Sequence, residues 1–399
     1  MTKTASETPR QIVSPGELRA VAADGTKLRY RLMEMGSEID DVIALGRGDP
    51  DLKTPGHIVE AACRAIEDGR ADLPAPAAGL KDLRDAVAHK LRTDNGIPVD
   101  GDGVLITSGS QEGLFLLIQG LIEPGDEIIV PDPRYTSYDQ AIERAGGMMR
   151  LVPTHRQQDF DLFPEVVEEA ITPRTRAVLL VTPNNPTAGI VSPANLKKIA
   201  ELAIEHDLVL ISDEIYERYV YPPGKHLSVG SLPGLFERTI TLGGVSKTYA
   251  MTGWRVGYVA STPEFTDHLT GLKRTISGGT AAVSQYAALE ALSGPQQCVD
   301  DFYATYSRRR EVMMRGLRDL GFDFGEPLGA FYVFTDVSSV GLSALAFSYL
   351  LLKEAHVLIF PGTAFGERWS DWMRISLLQP VDVIEEGLDR IRGVLERHT

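Results

Sequence analysis

Lys247 stands in Val245-Ser246-Lys247-Thr248, directly after a short apolar run and eight residues before Arg255. A lysine taken out of water loses its proton more readily, and the neutral amine can attack an aldehyde or carry a proton. Most lysines are solvated surface charges, so the Ser-Lys pair alone decides nothing. Ser246 and Arg255 add donors for an anion, Arg255 as a planar fork. Asp213 closes the run Leu210-Ile211-Ser212 and precedes Tyr216 by three residues. A carboxylate at the carboxyl end of a strand can pair with a protonated ring nitrogen and keep that ring electron-accepting. An aspartate there is also a common helix N-cap. The stretch Thr107-Ser108-Gly109-Ser110-Gln111-Glu112-Gly113 falls between a predicted strand and a predicted helix, where backbone amides make an anion site. It lacks the lysine of a P-loop. Arg374, within Trp372-Met373-Arg374-Ile375-Ser376, offers two parallel donors to a carboxylate. Pro183-Asn184-Asn185-Pro186-Thr187-Ala188-Gly189 has the composition of a turn.

In their order along the chain the segments closely resemble the class I aminotransferases, the fold-type-I pyridoxal phosphate enzymes. The resemblance runs from about Val42 to the end and is carried above all by Ser246-Lys247-Thr248-Tyr249-Ala250-Met251-Thr252-Gly253-Trp254-Arg255. It implies that Lys247 holds the cofactor as a Schiff base and then shuttles a proton between the substrate's α carbon and the cofactor. It implies that Asp213 pairs with the pyridine nitrogen, that Tyr216 and Asn185 bond the phenolic oxygen, and that Tyr135, in Pro131-Asp132-Pro133-Arg134-Tyr135, stacks on the ring. Ser110, Gln111, Ser246 and Arg255 would hold the phosphate. Arg374 would hold the substrate's α-carboxylate, with Asn185 and Gly48 beside it. An amino acid and a 2-oxo acid would exchange by a ping-pong scheme, in a homodimer whose active site lies at the subunit interface.

Three places depart from or exceed the family pattern. Ala188 stands where relatives carry glycine after Asn-Pro-Thr. Relatives carry a tyrosine shortly before a Pro-x-x-Gly stretch, which reaches the neighbouring subunit's phosphate; Ala71–Gly79 has none. Another group then completes the phosphate cup, or the neighbour contributes packing alone. Arg47 and Arg274 could each meet an anionic side chain or simply be solvated, with solvation favoured for Arg47.

The elements that must position these groups alternate. Short apolar strands are expected over Val104–Thr107, Glu127–Val130, Ala177–Val181, Leu208–Ser212, Thr239–Leu242 and Val256–Ala260. Helices are expected over Leu80–Asn95, Gln111–Ile122, Ser137–Ala145 and Pro193–His206, with another in Asp51–Gly69. That pattern predicts the α/β class with a mostly parallel sheet between helices, and the resemblance implies a sheet of seven-stranded type. Beyond it come a long helix over Asp300–Leu320, strands over Gly329–Thr335, His356–Phe360 and Arg374–Leu378, and helices over Ala344–Ala355 and Asp382–Arg397. This tail reads as a smaller α+β domain. The expected division is an N-terminal arm and part of the small domain over 1–50, with residues 1–15 a flexible arm, then a large cofactor domain over 51–295 and the small domain over 296–399. A cleft between the two is the expected ligand site.

Composition bounds the partners. With 40 Lys and Arg against 55 Asp and Glu, the chain carries −15, which argues against nucleic acid as the main partner. Two distant cysteines, no CxxC and no HExxH give no metal or redox motif. The polar start Met1–Arg10 and the shortness of every apolar run predict a cytoplasmic protein without a membrane span. The same site could instead run a carbon–sulfur β-elimination or an aminocyclopropane-carboxylate synthase-like reaction. A regulator built on this fold would need a DNA-binding domain, which the first forty-odd residues are too few to supply. The resemblance leaves the donor open among aspartate, aromatic and basic amino acids.

Overall fold

The computed structural model describes residues 15–398, so residues 1–14 of the expected arm lie outside the described residues. Seven strands, β1 (Val104–Thr107), β2 (Glu127–Asp132), β3 (Met148–Pro153), β4 (Thr175–Val181), β5 (Val209–Asp213), β6 (Thr239–Gly244) and β7 (Gly257–Ala260), form one sheet in the order β1-β7-β6-β5-β4-β2-β3. Neighbours are parallel except at β7, which runs antiparallel to both β1 and β6. Successive strand residues point to opposite faces. Ile128, Val130, Leu179 and Ile211 pack on one face with Leu117 and Leu121 of the helix Ser110–Leu121. Ile129, Val178, Leu180 and Leu210 pack on the other with Leu196 and Ile199 of the helix Pro193–Glu205. Two covered faces explain why the strands read as continuous apolar runs.

Four strands make a second, antiparallel sheet, ordered β10-β11-β9-β8: β8 (Asp323–Phe324), β9 (Tyr332–Asp336), β10 (Phe360–Pro361) and β11 (Trp372–Ser376). The long helix Gln297–Asp319, the helix Ala344–Ala355 and the closing helix Val381–His398 pack on it through Met313, Leu317, Phe347, Leu351, Ile384 and Leu388. Ile43–Ala44 pairs in parallel with Val357–Leu358, just before β10, in a separate two-stranded sheet.

Several elements were not anticipated. The strand β3 is an edge with mostly exposed or half-exposed residues and no apolar run. The helix Ala282–Ser293 is buried largely through alanines and lacks an apolar stripe, and Pro164–Ala170 and Pro263–Ile276 also escaped the pattern. The strand expected over His356–Phe360 is two short strands, Val357–Leu358 and β10. The strand expected from Gly329 starts at Tyr332, because Gly329 lies in a loop held to Ala188. Most consequential is the helix Gly25–Ser37. Asp24 caps it, its side chain accepting from the amides of Thr26 and Lys27 at 3.0 Å each. Leu28, Leu32 and Met35 bury against Phe360 and Phe365. Among the described residues no helix is long and apolar enough to cross a membrane.

Gly25 sets how closely that helix approaches. A Cβ there would lie 2.3 Å from the Ala364 carbonyl oxygen, whereas at Gly56, the first residue of the helix Gly56–Glu67, it would meet nothing within 4 Å. Gly25→Ala is expected to cost about 1–3 kcal/mol by overpacking. Gly56→Ala is expected to be neutral or stabilising by up to about 1 kcal/mol. Urea unfolding of both variants beside the parent checks the contrast.

Candidate active site

Parallel strands bring their carboxyl ends to one rim, and loops leaving that rim can converge. Gly109 and Ser110 follow β1, Tyr135 follows β2, Asn185 follows β4, Asp213 ends β5 and Lys247 follows β6. Because β7 is antiparallel, Arg255, two residues before it, is at the same rim. The second sheet adds Arg374 from β11, and the segment before residue 50 adds Gly48. All eleven residues expected from the sequence line one cavity of about 760 Å³: Gly48, Ser110, Gln111, Tyr135, Asn185, Asp213, Tyr216, Ser246, Lys247, Arg255 and Arg374. Arg47 and Arg274 are exposed and do not line it.

Lys247 donates from Nζ to the Gly48 carbonyl at 2.9 Å and lies 3.3 Å from an Asp49 oxygen. Burial pushes its pKa below the ordinary lysine value, against the opposing pull of Asp49. Asp213 is buried, and its Oδ2 accepts from the Tyr138 hydroxyl at 2.6 Å. Burial raises its pKa to about 6, with the Tyr138 bond opposing that rise and neighbouring Glu214 adding to it. Tyr216 is buried with its hydroxyl 3.0 Å from that of Tyr332, and burial raises its pKa well above the ordinary phenol value.

Arg374 bridges the two sheets. Its Nη1 donates to Asn185 Oδ1 at 2.8 Å and its Nη2 to the Gly46 carbonyl at 2.6 Å, while its guanidinium lies 4.3 Å from the Tyr332 ring centroid. The Asn185 amide nitrogen stays available as a donor. The Asn-Pro-Thr turn keeps a left-handed residue where relatives have glycine, with Ala188 at φ 59°.

At the other end of the cavity, the helix Ser110–Leu121 starts after Gly109, and no side chain caps it. Its first amides are therefore free for an anion. A Cβ on Gly109 would lie 2.3 Å from Arg255 Nη2, so glycine is what lets the guanidinium reach this corner. The Ser110 hydroxyl donates to the Gly243 carbonyl at 2.9 Å, which leaves its amide as the anion-facing donor. Amides and a guanidinium for phosphate, a buried carboxylate for a ring nitrogen and a desolvated amine for an aldehyde together fit pyridoxal phosphate.

The sequence did not point to Tyr138, Tyr332, Asp49 or the helix Gly25–Ser37. Thr26, Arg29, Tyr30 and Met33 of that helix line the cavity at a spacing that places them on one face. The Asp24 cap and that spacing were the available signals. Arg29 is buried, its guanidinium 4.9 Å from the Tyr135 ring centroid. It donates to Thr136 Oγ1 at 2.9 Å, to the Ala364 carbonyl at 2.8 Å and to Thr26 Oγ1 at 3.2 Å.

The raised pKa of Asp213 has a consequence for stability. A carboxyl whose folded pKa lies above its unfolded value stabilises the fold below that unfolded value, and the contribution is lost as pH rises through the folded pKa. For the cofactor-free protein that window runs from the ordinary aspartate value of 3.8 to about 6. The loss is on the order of 3 kcal/mol. Asp213→Asn should remove this loss, so the cofactor-free variant should gain on its parent between pH about 4 and pH about 7. Urea unfolding at both pH values measures it; an unchanged difference would refute the burial argument.

The description aminotransferase class I and II matches residues 40–391 of this chain. It is 37% identical over 389 residues to an aromatic-amino-acid aminotransferase 2 of Thermococcus litoralis, covering 97% of each chain. It is 36% identical to an aspartate aminotransferase of Pyrococcus abyssi, covering 96% of each. Its fold superposes on the crystal structure of an aromatic aminotransferase from Pyrococcus horikoshii with a TM-score of 0.87 at 36% identity, over 92% of this chain and 99% of that one. Sequence, fold and site therefore agree that the chain belongs to aminotransferase class I and II and is a pyridoxal-phosphate-dependent enzyme that moves an amino group between an amino acid and a 2-oxo acid.

Proposed function

We propose that Lys247 is the lysine that binds the cofactor and, once substrate has displaced it, moves the proton at the substrate's α carbon. The observation that carries this reading is the desolvated Nζ inside the cavity, with its pKa pushed down by burial. Bound there, pyridoxal phosphate supplies a protonated ring that accepts electron density from the α carbon. Asp213, held by Tyr138, keeps the ring nitrogen protonated. Tyr216 and the Asn185 amide nitrogen hold the phenolic oxygen, and Tyr135 covers the ring. Ser110, Gln111, Ser246 and Arg255 hold the phosphate. Arg374 takes the α-carboxylate in the plane fixed by Asn185 and Gly46, beside Gly48. Among the described residues, 51–295 form the cofactor-binding unit, while 15–50 and 296–398 form the smaller one. The enzyme works as a homodimer in the cytoplasm. Full-length relatives named as aminotransferases favour transfer over β-elimination.

The donor carries an uncharged aromatic or large apolar side chain. The described residues that line the cavity include four cations, Arg29, Lys247, Arg255 and Arg374. Three have the roles above. Arg29 spends three of its five N–H groups on Thr136, Ala364 and Thr26, so of the described cations that line the cavity none is free of protein partners, which favours a donor without a second carboxylate. Tyr30, Met33 and Phe360 offer apolar walls instead.

Two tests follow from these assignments. Borohydride reduction of the parent should leave the cofactor on the peptide that contains Lys247. Lys247→Ala should show no such adduct and lose turnover by at least about a thousandfold, as expected when the proton carrier goes. Cofactor fixed to another lysine would sink the assignment. With a 2-oxo acid acceptor, kcat/KM for phenylalanine should exceed that for aspartate by about tenfold or more, a difference of about 1.4 kcal/mol. Tyr30→Ala should erode that preference mainly through KM. A preference for aspartate would overturn the donor reading.

A further inference from the structure

Strand alternation sends Asp213 toward the cavity and Ser212 and Glu214 to the opposite side of β5. Behind β5 lies a buried charged cluster with no part in the chemistry above. Glu214 is 3% exposed. Its Oε1 accepts from Ser212 Oγ at 2.8 Å; its Oε2 accepts from Ser228 Oγ at 2.5 Å and lies 3.0 Å from His226 Nε2. Asn95 Nδ2 reaches Glu217 at 2.5 Å and Glu214 at 3.3 Å, and Lys90 pairs closely with Glu217. The groups come from three places: the helix Lys81–Asp94 and its cap Asn95, the end of β5 with the turn after it, and the loop holding His226 and Ser228. Glu214, Glu217 and His226 could together meet a metal ion, but the Lys90 ammonium already answers one carboxylate.

The charge balance is simple. Two carboxylates and one ammonium leave one negative charge, and a protonated His226 cancels it. Burial works against the imidazolium, yet Glu214 and Glu217 outweigh it and hold the His226 pKa above the ordinary histidine value. Burial likewise opposes ionised Glu217, which Lys90, His226 and Asn95 hold below the usual carboxylate range. The other titratable groups around the cluster are the exposed pair Asp94–Arg218, at 3.3 Å, and the buried phenols Tyr249 and Tyr258. These phenols are pushed above their ordinary value, so neither supplies charge near neutral pH. Asp213 is joined to Glu214 by one peptide bond, and that carboxylate's field falls on it.

We propose that His226, Glu214 and Lys90 are positioning residues that act through Asp213: the ion-paired cluster neutralises the back of β5, so that Asp213 faces the cofactor's ring nitrogen as an ionised carboxylate. This rests on the reading of Asp213 as the ring's partner. The cluster sets the pH below which Asp213 takes up a proton and loosens its hold on the cofactor. Removing a positive charge makes the cluster net negative and raises that pH. Removing a negative charge lowers it.

The test is the cofactor dissociation constant of the full-length enzyme, measured by fluorescence titration from pH about 5 to about 8. His226→Gln and Lys90→Gln should move the acid limb up by about half a pH unit or more. Glu214→Gln should move it down, and the charge-neutral Ser228→Ala should leave it in place. A merely structural role would weaken binding in all four without this opposition of sign. Shifts of one sign, or none, overturn the proposal. If Glu214→Gln does not fold, upward shifts in both His226→Gln and Lys90→Gln with none in Ser228→Ala uphold the proposal, and any other pattern overturns it. Asp213→Asn should have no acid limb of this origin; a limb that persists there marks a failure of the Asp213 reading rather than of the cluster.

Discussion

A carboxylate and an amine share one cavity without pairing with each other, and the rest of the site is built around keeping them apart. Among the described residues Asp213 has no ion-pair partner; its hydrogen bonds come from the Tyr138 hydroxyl and the Ile215 amide. Lys247 is engaged by Gly48 and by the half-solvated Asp49. Had the two met, each would have settled into its charged form, and neither would be open to a ligand. Held apart, the amine is disposed to lose its proton and the carboxylate lacks a cation until one arrives. A ring that carries an aldehyde at one place and a protonated nitrogen at another satisfies both at once.

That separation is a property of the sheet. Lys247 leaves β6 and Asp213 ends the adjacent β5, so neighbouring carboxyl ends set their spacing. The single antiparallel strand matters as much. A parallel β7 would place Arg255 at the far edge of the sheet; the reversed strand puts it beside Gly109 and the open helix N-terminus. Arg374 arrives from the other sheet and is fixed by a large-unit side chain, Asn185, and an N-terminal carbonyl, Gly46. Arg374, proposed to take the substrate's carboxylate, is thus also a tie between the two sheets. The bidentate pair of Arg309 with Asp51, at 2.7 and 2.9 Å, braces the same Gly46–Asp51 loop from the long helix.

Much of this was legible in the residues. The strands that carry the site are short apolar runs bounded by turns, and six of the seven were anticipated because both faces of the sheet are covered. The eleven residues that line the cavity were singled out through motif order, which survives without any knowledge of contacts. What escaped depended on tertiary partners. Tyr138 and Tyr332 look like core aromatics until their hydroxyls are seen against Asp213 and Tyr216. The helix Gly25–Ser37 has a weak apolar stripe, since one of its faces is spent on the cavity: Thr26, Arg29, Tyr30 and Met33 interrupt the pattern that would have announced it. The edge strand β3 had no pattern to show, being largely solvent-facing.

The residues hardest to foresee share one feature: each supports another side chain of the site. Tyr138 donates to Asp213, Arg29 lies over the Tyr135 ring, and the Glu214 cluster backs the end of β5. A motif records side chains that must meet the ligand, and their spacing is constrained by the chain itself. A supporting residue can come from any element that packs nearby, so its sequence position is free. Buried polar groups without a structural partner in sequence, such as Glu214 and Glu217 beside an otherwise apolar strand, are the trace such support leaves. Each carries a desolvation cost that the fold must offset. Here Lys90, Asn95, His226, Ser212 and Ser228 offset it, and this arrangement sits directly behind Asp213.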